Sequence, residues 1–283
     1  MRILRSVVEM QREAERLRLA GRTIGFVPTM GYLHAGHMSL VEHAKSATDV
    51  VILSIFVNPT QFGPSEDFAK YPRDFDKDRA LAERAGVEIL FHPANDEMYG
   101  NGFGTYVEEQ ASSRILEGMI RPGHFRGVTT VVAKLFNICK PHVAVFGQKD
   151  VQQAFIVKKM VRDLNLDVSV LVAPIARETD GLAMSSRNVY LTKQERSEAI
   201  ALFQSLTMAQ EKIKMGEQNA VRLRQEMESL IRSKGSPTID YIAFVDPESF
   251  QEIDTVTGST VLVAVAARYG TTRLIDNVLV EVR

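Results

Sequence analysis

The chain has 283 residues, 45% hydrophobic and 24% charged, with 34 Lys+Arg against 35 Asp+Glu. This near-average composition allows a sizeable core in one large domain or two modest ones and argues against disorder. The charge balance argues against a general nucleic-acid or membrane-surface binder, which would need a basic excess. A single cysteine, Cys139, excludes an internal disulfide and any two-cysteine metal site, and it makes a reducing cytoplasm the default compartment.

Charges recur through Met1 to Gly21, so this stretch lacks the apolar core of a signal peptide, and Met1 to Ala20 holds a first helical pattern. No uninterrupted apolar run is long enough to cross a bilayer, and no repeat or low-complexity segment is present. Five short apolar runs follow: Thr23–Val27 ended by Pro28, Val50–Val57 ended by Asn58-Pro59, Glu88–Phe91, Val143–Phe146 and Val168–Val172. Nearly continuous runs rich in branched residues predict strands covered on both faces. Helical patterns alternate with them at Ser39–Ala47, Asp76–Ala85, Thr129–Cys139 and Val151–Leu164. Such alternation predicts an open parallel α/β sheet with right-handed crossovers.

The pattern changes after Val172. Thr192–Lys214 predicts one long helix, opened by a Thr192/Glu195 capping-box spacing and closed by Gly216. A second helix spans Asn219–Lys234 before Gly235. Asp240–Val245, Thr260–Ala267 and Arg273–Val282 then read as strands separated by turn residues, which predicts an antiparallel sheet in a smaller α+β domain. The expected domains are residues 1–176 and 177–283, with 177–188 as the segment between them.

Ligands of open α/β sheets sit beyond the carboxyl ends of the strands. After the first strand comes Pro28-Thr29-Met30-Gly31-Tyr32-Leu33-His34-Ala35-Gly36-His37, which opens a helix. Free backbone donors and the positive end of the helix dipole suit a phosphate there, and two imidazoles three residues apart can stabilise charge developing on it. The bland alternative is a pair of satisfied loop histidines, and an isolated HxxH is weak evidence by itself. A metal pair lacks an evident third ligand.

After the second strand, Asn58 and Gln61 offer neutral groups that can fix hydroxyls or a carboxylate, and the proline-punctuated polar stretch Asn58–Arg73 has the length of a lid. The competing reading is an ordinary Asn-Pro turn. Beyond the fourth strand lie Gly147-Gln148-Lys149-Asp150 and then Gln152-Gln153. Lys149 is a movable cation for phosphate, Asp150 is either an acceptor for ribose hydroxyls or an N-cap, and Gln153 can bind a substrate hydroxyl. Met184-Ser185-Ser186-Arg187 is either a polyphosphate clamp or a polar linker. Arg121-Pro122-Gly123-His124-Phe125-Arg126-Gly127 is the weakest candidate, a basic loop near the cleft or simply a turn.

His34-Ala35-Gly36-His37 resembles the HxGH signature of the nucleotidyl-transferring α/β superfamily, and Met184–Arg187 resembles that superfamily's second phosphate-binding signature. Five longer strings narrow the likeness to the pantoate–β-alanine ligase family: 28–37, 56–62, 121–128, 146–153 and 180–188, in the family's order. The resemblance implies a Rossmann-like first domain. It also implies ATP-dependent condensation of (R)-pantoate with β-alanine through a pantoyl adenylate, releasing pyrophosphate and AMP, with Mg²⁺ accompanying ATP in a cytoplasmic homodimer. By the same resemblance ATP meets Met30, Gly31, Tyr32, Leu33, His34, Ala35, Gly36, His37, Gly147, Gln148, Lys149, Asp150, Ala176, Met184, Ser185, Ser186 and Arg187. Gln61 and Gln153 hold pantoate, and Gln61 also meets β-alanine; His34, His37, Lys149 and Arg187 carry the catalysis. A nucleotidylyltransferase acting on a phosphorylated acceptor is the alternative, and it would want more cations than two neutral glutamines supply. A non-catalytic nucleotide-binding module would have lost one or more of these charged groups.

Overall fold

The apolar runs become strands of a parallel sheet, and the helical patterns between them cover its faces. The computed structural model describes residues 1–64 and 66–282. Through residue 173 the elements are β1 (Arg2–Leu4), α1 (Val7–Leu19), β2 (Ile24–Thr29), α2 (Ala35–Ala47), β3 (Val50–Ile55), α3 (Phe75–Arg84), β4 (Ile89–Phe91), α4 (Asn95–Met98), α5 (Glu117–Ile120), α6 (His124–Cys139), β5 (Val143–Gly147), α7 (Val151–Asp163) and β6 (Ser169–Ala173). The six described strands run parallel in the order β1-β4-β3-β2-β5-β6. The chain winds outward from β2 to β4 on one side and from β5 to β6 on the other, so the order reverses between β2 and β5. That switch point is where open sheets take ligands. Pairing of β2 with β5 covers only Gly25↔Val143 and Phe26↔Ala144, so no pairing joins the two strands beyond, where β2 runs on to Thr29 and β5 to Gly147.

One core lies beneath α1 and α6, with Phe26, Ile52, Phe91 and Ile156 buried in it. A second lies on the opposite face under α2, around Val27, Leu53, Leu90 and Val145. Successive strand residues thus serve opposite faces, as the pleat requires.

Sequence and structure differ at particular places. β1 was not expected: three residues carry too little pattern to be read, and parallel pairing with β4 is what makes it a strand. Pro28 lies inside β2 instead of ending it, paired with Ser54. The Thr29 carbonyl accepts from Phe56 N–H on the β3 side. Alternation therefore turns the Pro28 nitrogen toward β5, where pairing has already stopped and no donor is missed. The helix expected from Thr129 begins at His124, after Gly123 in the left-handed region (φ 82°).

The chain divides into two compact units: residues 1–148 with 152–174, and residues 149–151 with those from Ile175 onward. In the second unit the long helix expected over Thr192–Lys214 is two helices, α8 (Lys193–Glu198) and α9 (Ile200–Lys214), with the predicted Thr192/Glu195 capping box present. The turn tightens locally, Leu202 N–H reaching Ala199 carbonyl three residues back, which a 3.6-residue pattern does not reveal. α10 (Ala220–Lys234) follows, then β7 (Thr238–Val245), β8 (Thr260–Tyr269) and β9 (Thr272–Glu281) in an antiparallel sheet ordered β7-β8-β9. Its covered face packs Phe244, Val263 and Val265 against Leu202, Leu206, Leu223 and Met227 of α9 and α10. Among the described residues, no helix is long and apolar enough to cross a membrane.

Candidate active site

At the end of β2 the chain reverses through two residues in the left-handed region, Gly31 (φ 83°) and Tyr32 (φ 49°). Glycine is required at the first on space as well as conformation, because a Cβ there would stand 3.0 Å from both Asp78 Oδ2 and Ile55 Cγ2. Asp78 reaches under the loop from α3 and accepts from Tyr32 N–H (2.7 Å) and Leu33 N–H (2.6 Å). Thr29 Oγ1 completes the brace: it donates to Ser54 carbonyl and accepts from Gly31 N–H. Burial raises the Asp78 pKa, and its two backbone hydrogen bonds oppose that rise.

The loop delivers His34 as the N-cap of α2. His34 Nδ1 accepts from Gly36 N–H (3.2 Å), and His37 Nδ1 accepts from His34 N–H (3.3 Å). The two rings lie 4.0 Å apart, tilted by 41°. An Nδ1 that accepts from backbone leaves the neutral ring's proton on Nε2. Both imidazoles are therefore fixed as Nε2–H donors at the positive end of a 13-residue helix. Gly147, at the end of β5, sits beside the same helix, its Cβ position 3.9 Å from Leu40 Cδ2.

At the end of β3, Asn58 caps a 3₁₀ turn over Pro59–Gln61. Asn58 Nδ2 donates to Gln61 Oε1 and Gly127 carbonyl, while Oδ1 accepts from Thr60 N–H, Thr60 Oγ1 and Tyr99 Oη. The amide of this fully buried side chain is thus consumed within the fold. The expectation that Asn58 offers groups to a ligand is corrected: it is the bracket that holds Gln61. The Gln61 side chain points its Nε2 at Met30 Sδ (3.0 Å), joining the ends of β2 and β3. A thioether is a weak acceptor, so that N–H can be turned to a ligand oxygen at little cost.

Gln152 and Gln153 differ sharply. Gln152 is buried and clamps the segment before α5, donating to Ser112 and Ile115 carbonyls and accepting from Glu117 N–H. Gln153 is half-buried in the first turn of α7. The basic motif at 121–127 is neither loop nor turn in its second half: it starts α6, with His124 buried against Gln61.

Gln148 follows Gly147 in the first unit, and the remaining predicted residues belong to the second. Lys149 and Asp150 lie in a 3₁₀ turn, Lys149 Nζ 3.6 Å from Asp150 Oδ1, and Asn277 of β9 donates to Lys149 carbonyl (3.1 Å). Ala176 carbonyl accepts from Met184 N–H (3.0 Å), which brings those two predicted residues together. Between them the chain turns at Gly181 (φ 95°), where a Cβ would collide with the Phe203 ring. Ser185 caps the 3₁₀ turn Ser186–Tyr190, accepting from Arg187 N–H, and that turn packs on β9. Arg177 anchors the hairpin through a bidentate pair with Asp276 (2.6 and 3.0 Å). Sequence reasoning missed Asp78, Tyr99, Asp276 and Asn277. None stands in a motif, and no local spacing marks a residue that braces a partner dozens of positions away.

A parallel sheet with its order reversed beside a self-capped helix start is the frame of the mononucleotide-binding α/β class. Residues 2–279 match the family model described as pantoate-beta-alanine ligase. The chain is 53% identical over 279 residues to the pantothenate synthetase of Thermotoga neapolitana, covering 99% of each. Its structure is similar to that of pantothenate synthetase from Thermus thermophilus, with TM-score 0.93, 43% identity and coverage of 98% of this chain and 99% of that one. It also resembles the pantoate-beta-alanine ligase of Francisella tularensis complexed with beta-gamma ATP and beta-alanine, with TM-score 0.80, 34% identity and coverage of 99% and 97%. The chain belongs to the pantoate–β-alanine ligase family.

Proposed function

We propose that this chain condenses (R)-pantoate with β-alanine at the expense of ATP, in two steps. The pantoate carboxylate attacks the α-phosphorus and pyrophosphate leaves. The β-alanine amine then attacks the acyl carbon of the pantoyl adenylate, giving pantothenate and AMP. The observation that carries the reading is the histidine pair at the start of α2: both Nδ1 atoms accept from backbone, so both rings keep Nε2–H as a donor at the helix end whose dipole favours negative charge. Attack on phosphorus needs positioning and charge stabilisation more than a covalent nucleophile.

In this reading His34 and His37 donate to phosphate oxygens, with Met30–Leu33 and Gly147–Gln148 lining the nucleotide. Lys149, Asp150, Ala176 and Met184–Arg187 are further nucleotide contacts in this reading. Gln61 and Gln153 take pantoate, and Gln61 also meets β-alanine. Among the described residues no three His, Cys, Asp or Glu side chains gather as a metal cage. Mg²⁺ then fits only as a companion of the triphosphate, held by its oxygens and water, and no step here runs through it. The reading includes a cytoplasmic homodimer, checked by light scattering and fractionation.

The test is a product assay with ATP and pantoate, with and without β-alanine. AMP and pantothenate should appear together only when all three are present. Adenylylated product accumulating without AMP, whatever the amine, would overturn the ligase reading in favour of nucleotidylyl transfer.

A further inference from the structure

We infer that Arg121 and His124 are positioning residues for Gln61, holding its main-chain carbonyl through a relay that begins at the half-buried Glu66 and ends at the buried His124 ring. The inference rests on the reading of Gln61 as the pantoate contact.

Donor and acceptor accounting fixes the relay's direction. Arg121 has only donors, and its Nη1 lies 3.1 Å from His124 Nε2, so Nε2 must be the lone-pair nitrogen. The ring proton is then on Nδ1, which stands 2.8 Å from Gln61 carbonyl and donates to it. A second, longer bond from Arg121 Nη2 reaches the same carbonyl (3.5 Å). The guanidinium is in turn gripped by both Glu66 oxygens, at 2.9 and 2.7 Å, with side chains only 16% and 22% exposed. Burial, followed by the neighbouring Arg121 charge, lowers the His124 pKa to about 4, which keeps the ring uncharged at neutral pH.

The same helix start is locked to the turn by shape. A Cβ on Gly127 would come within 2.3 Å of Thr60 carbonyl, and Gly127 carbonyl accepts from Asn58 Nδ2. The peptide after Gln61 is therefore held from one side by His124 and Arg121, while the Gln61 side-chain amide is held from the other by Asn58 and Met30. Release of the carbonyl lets that peptide rotate and takes the amide out of register. The relay meets the β2 loop through Gln61, whose Nε2 faces Met30 Sδ, so its loss should reach pantoate before it reaches the proposed nucleotide cradle.

Steady-state kinetics on three variants test this. Gln61→Ala sets the reference, raising KM for pantoate well above its effect on KM for ATP. His124→Ala should raise the pantoate KM about tenfold, the loss of one buried hydrogen bond, with the ATP KM within about twofold. His124→Asn places an amide donor where Nδ1 stood and should recover most of the loss. If His124→Ala fails to fold, Arg121→Lys, which breaks the fork but keeps the charge, must show the same pantoate-selective rise. A rise shared equally by ATP and pantoate, or no rise at all, overturns the positioning role. So does an Asn variant as poor as Ala. A Gln61→Ala enzyme without pantoate selectivity overturns the reading of Gln61 first, and the inference with it.

Discussion

The ends of β2 and β3 lie side by side, and they are braced by different chemistry. The β2 loop gives two N–H groups to one buried carboxylate, Asp78, and the helix start that follows caps itself with imidazoles. The β3 turn is held by a neutral amide, a phenol and an imidazole, with its charged members, Arg121 and Glu66, paired to each other. A carboxylate under the first loop satisfies two donors at once without using the imidazole Nε2–H groups. A neutral network under the second holds a polar turn without adding net charge beside it.

The largest way to break that contrast is at the imidazoles. His37→Ala should lower single-turnover adenylation by roughly 10²–10³-fold, the usual effect of removing one preorganised donor, with folding intact by circular dichroism. An unchanged single-turnover rate would remove charge stabilisation from its role.

Next comes the brace beneath. Asp78→Asn keeps one acceptor but sets an NH₂ group against a backbone N–H. It should cost about 2 kcal/mol in denaturant unfolding and raise KM for ATP more than for pantoate. Equal rises would show that the two strand ends do not act separately.

The smallest effect is a pH slope. His124 has a native pKa of about 4, below its ordinary 6.5, so the unfolded chain binds more protons between those values. Stability is therefore lost as pH falls through this window, by about 1 kcal/mol at pH 6. Arg121, Glu66 and Glu117 are the charged groups whose fields act on the ring. Asp78 has the opposite sign: its raised pKa makes the native chain take up its proton first, adding stability in acid. His124→Asn should flatten the loss in urea titrations between pH 7 and 5. A slope unchanged by that variant would place the proton elsewhere.

Legibility in the sequence followed range. The HxGH string, Gln61 and Lys149 stand after strand ends, where strand, loop and helix signals are local enough to be legible, whereas the Met184–Arg187 string lies inside the second unit and not in the crossing to it. The Asn58-Pro59 turn was equally visible, but whether its amide faced a ligand or the fold was not. Asn58 spends its hydrogen bonds on Gly127, Tyr99, Thr60 and Gln61, and two of those four are more than 40 positions away. The motif at 121–127 differs in another way: Pro122-Gly123 is a turn signal that overrides the helical pattern right behind it, so a buried helix-start histidine falls in what reads as a basic loop near the cleft or a turn.

By itself the sequence determined the parallel sheet and the antiparallel sheet of the second unit, since periodicity and turn residues act over a few positions and survive without context. Only the tertiary structure decided the three-residue strand β1, the passage of β2 through Pro28, and which polar groups brace and which face outward. Those outcomes depend on hydrogen bonds and shape fits between residues far apart in the chain, whose partners exist only once the sheet has assembled.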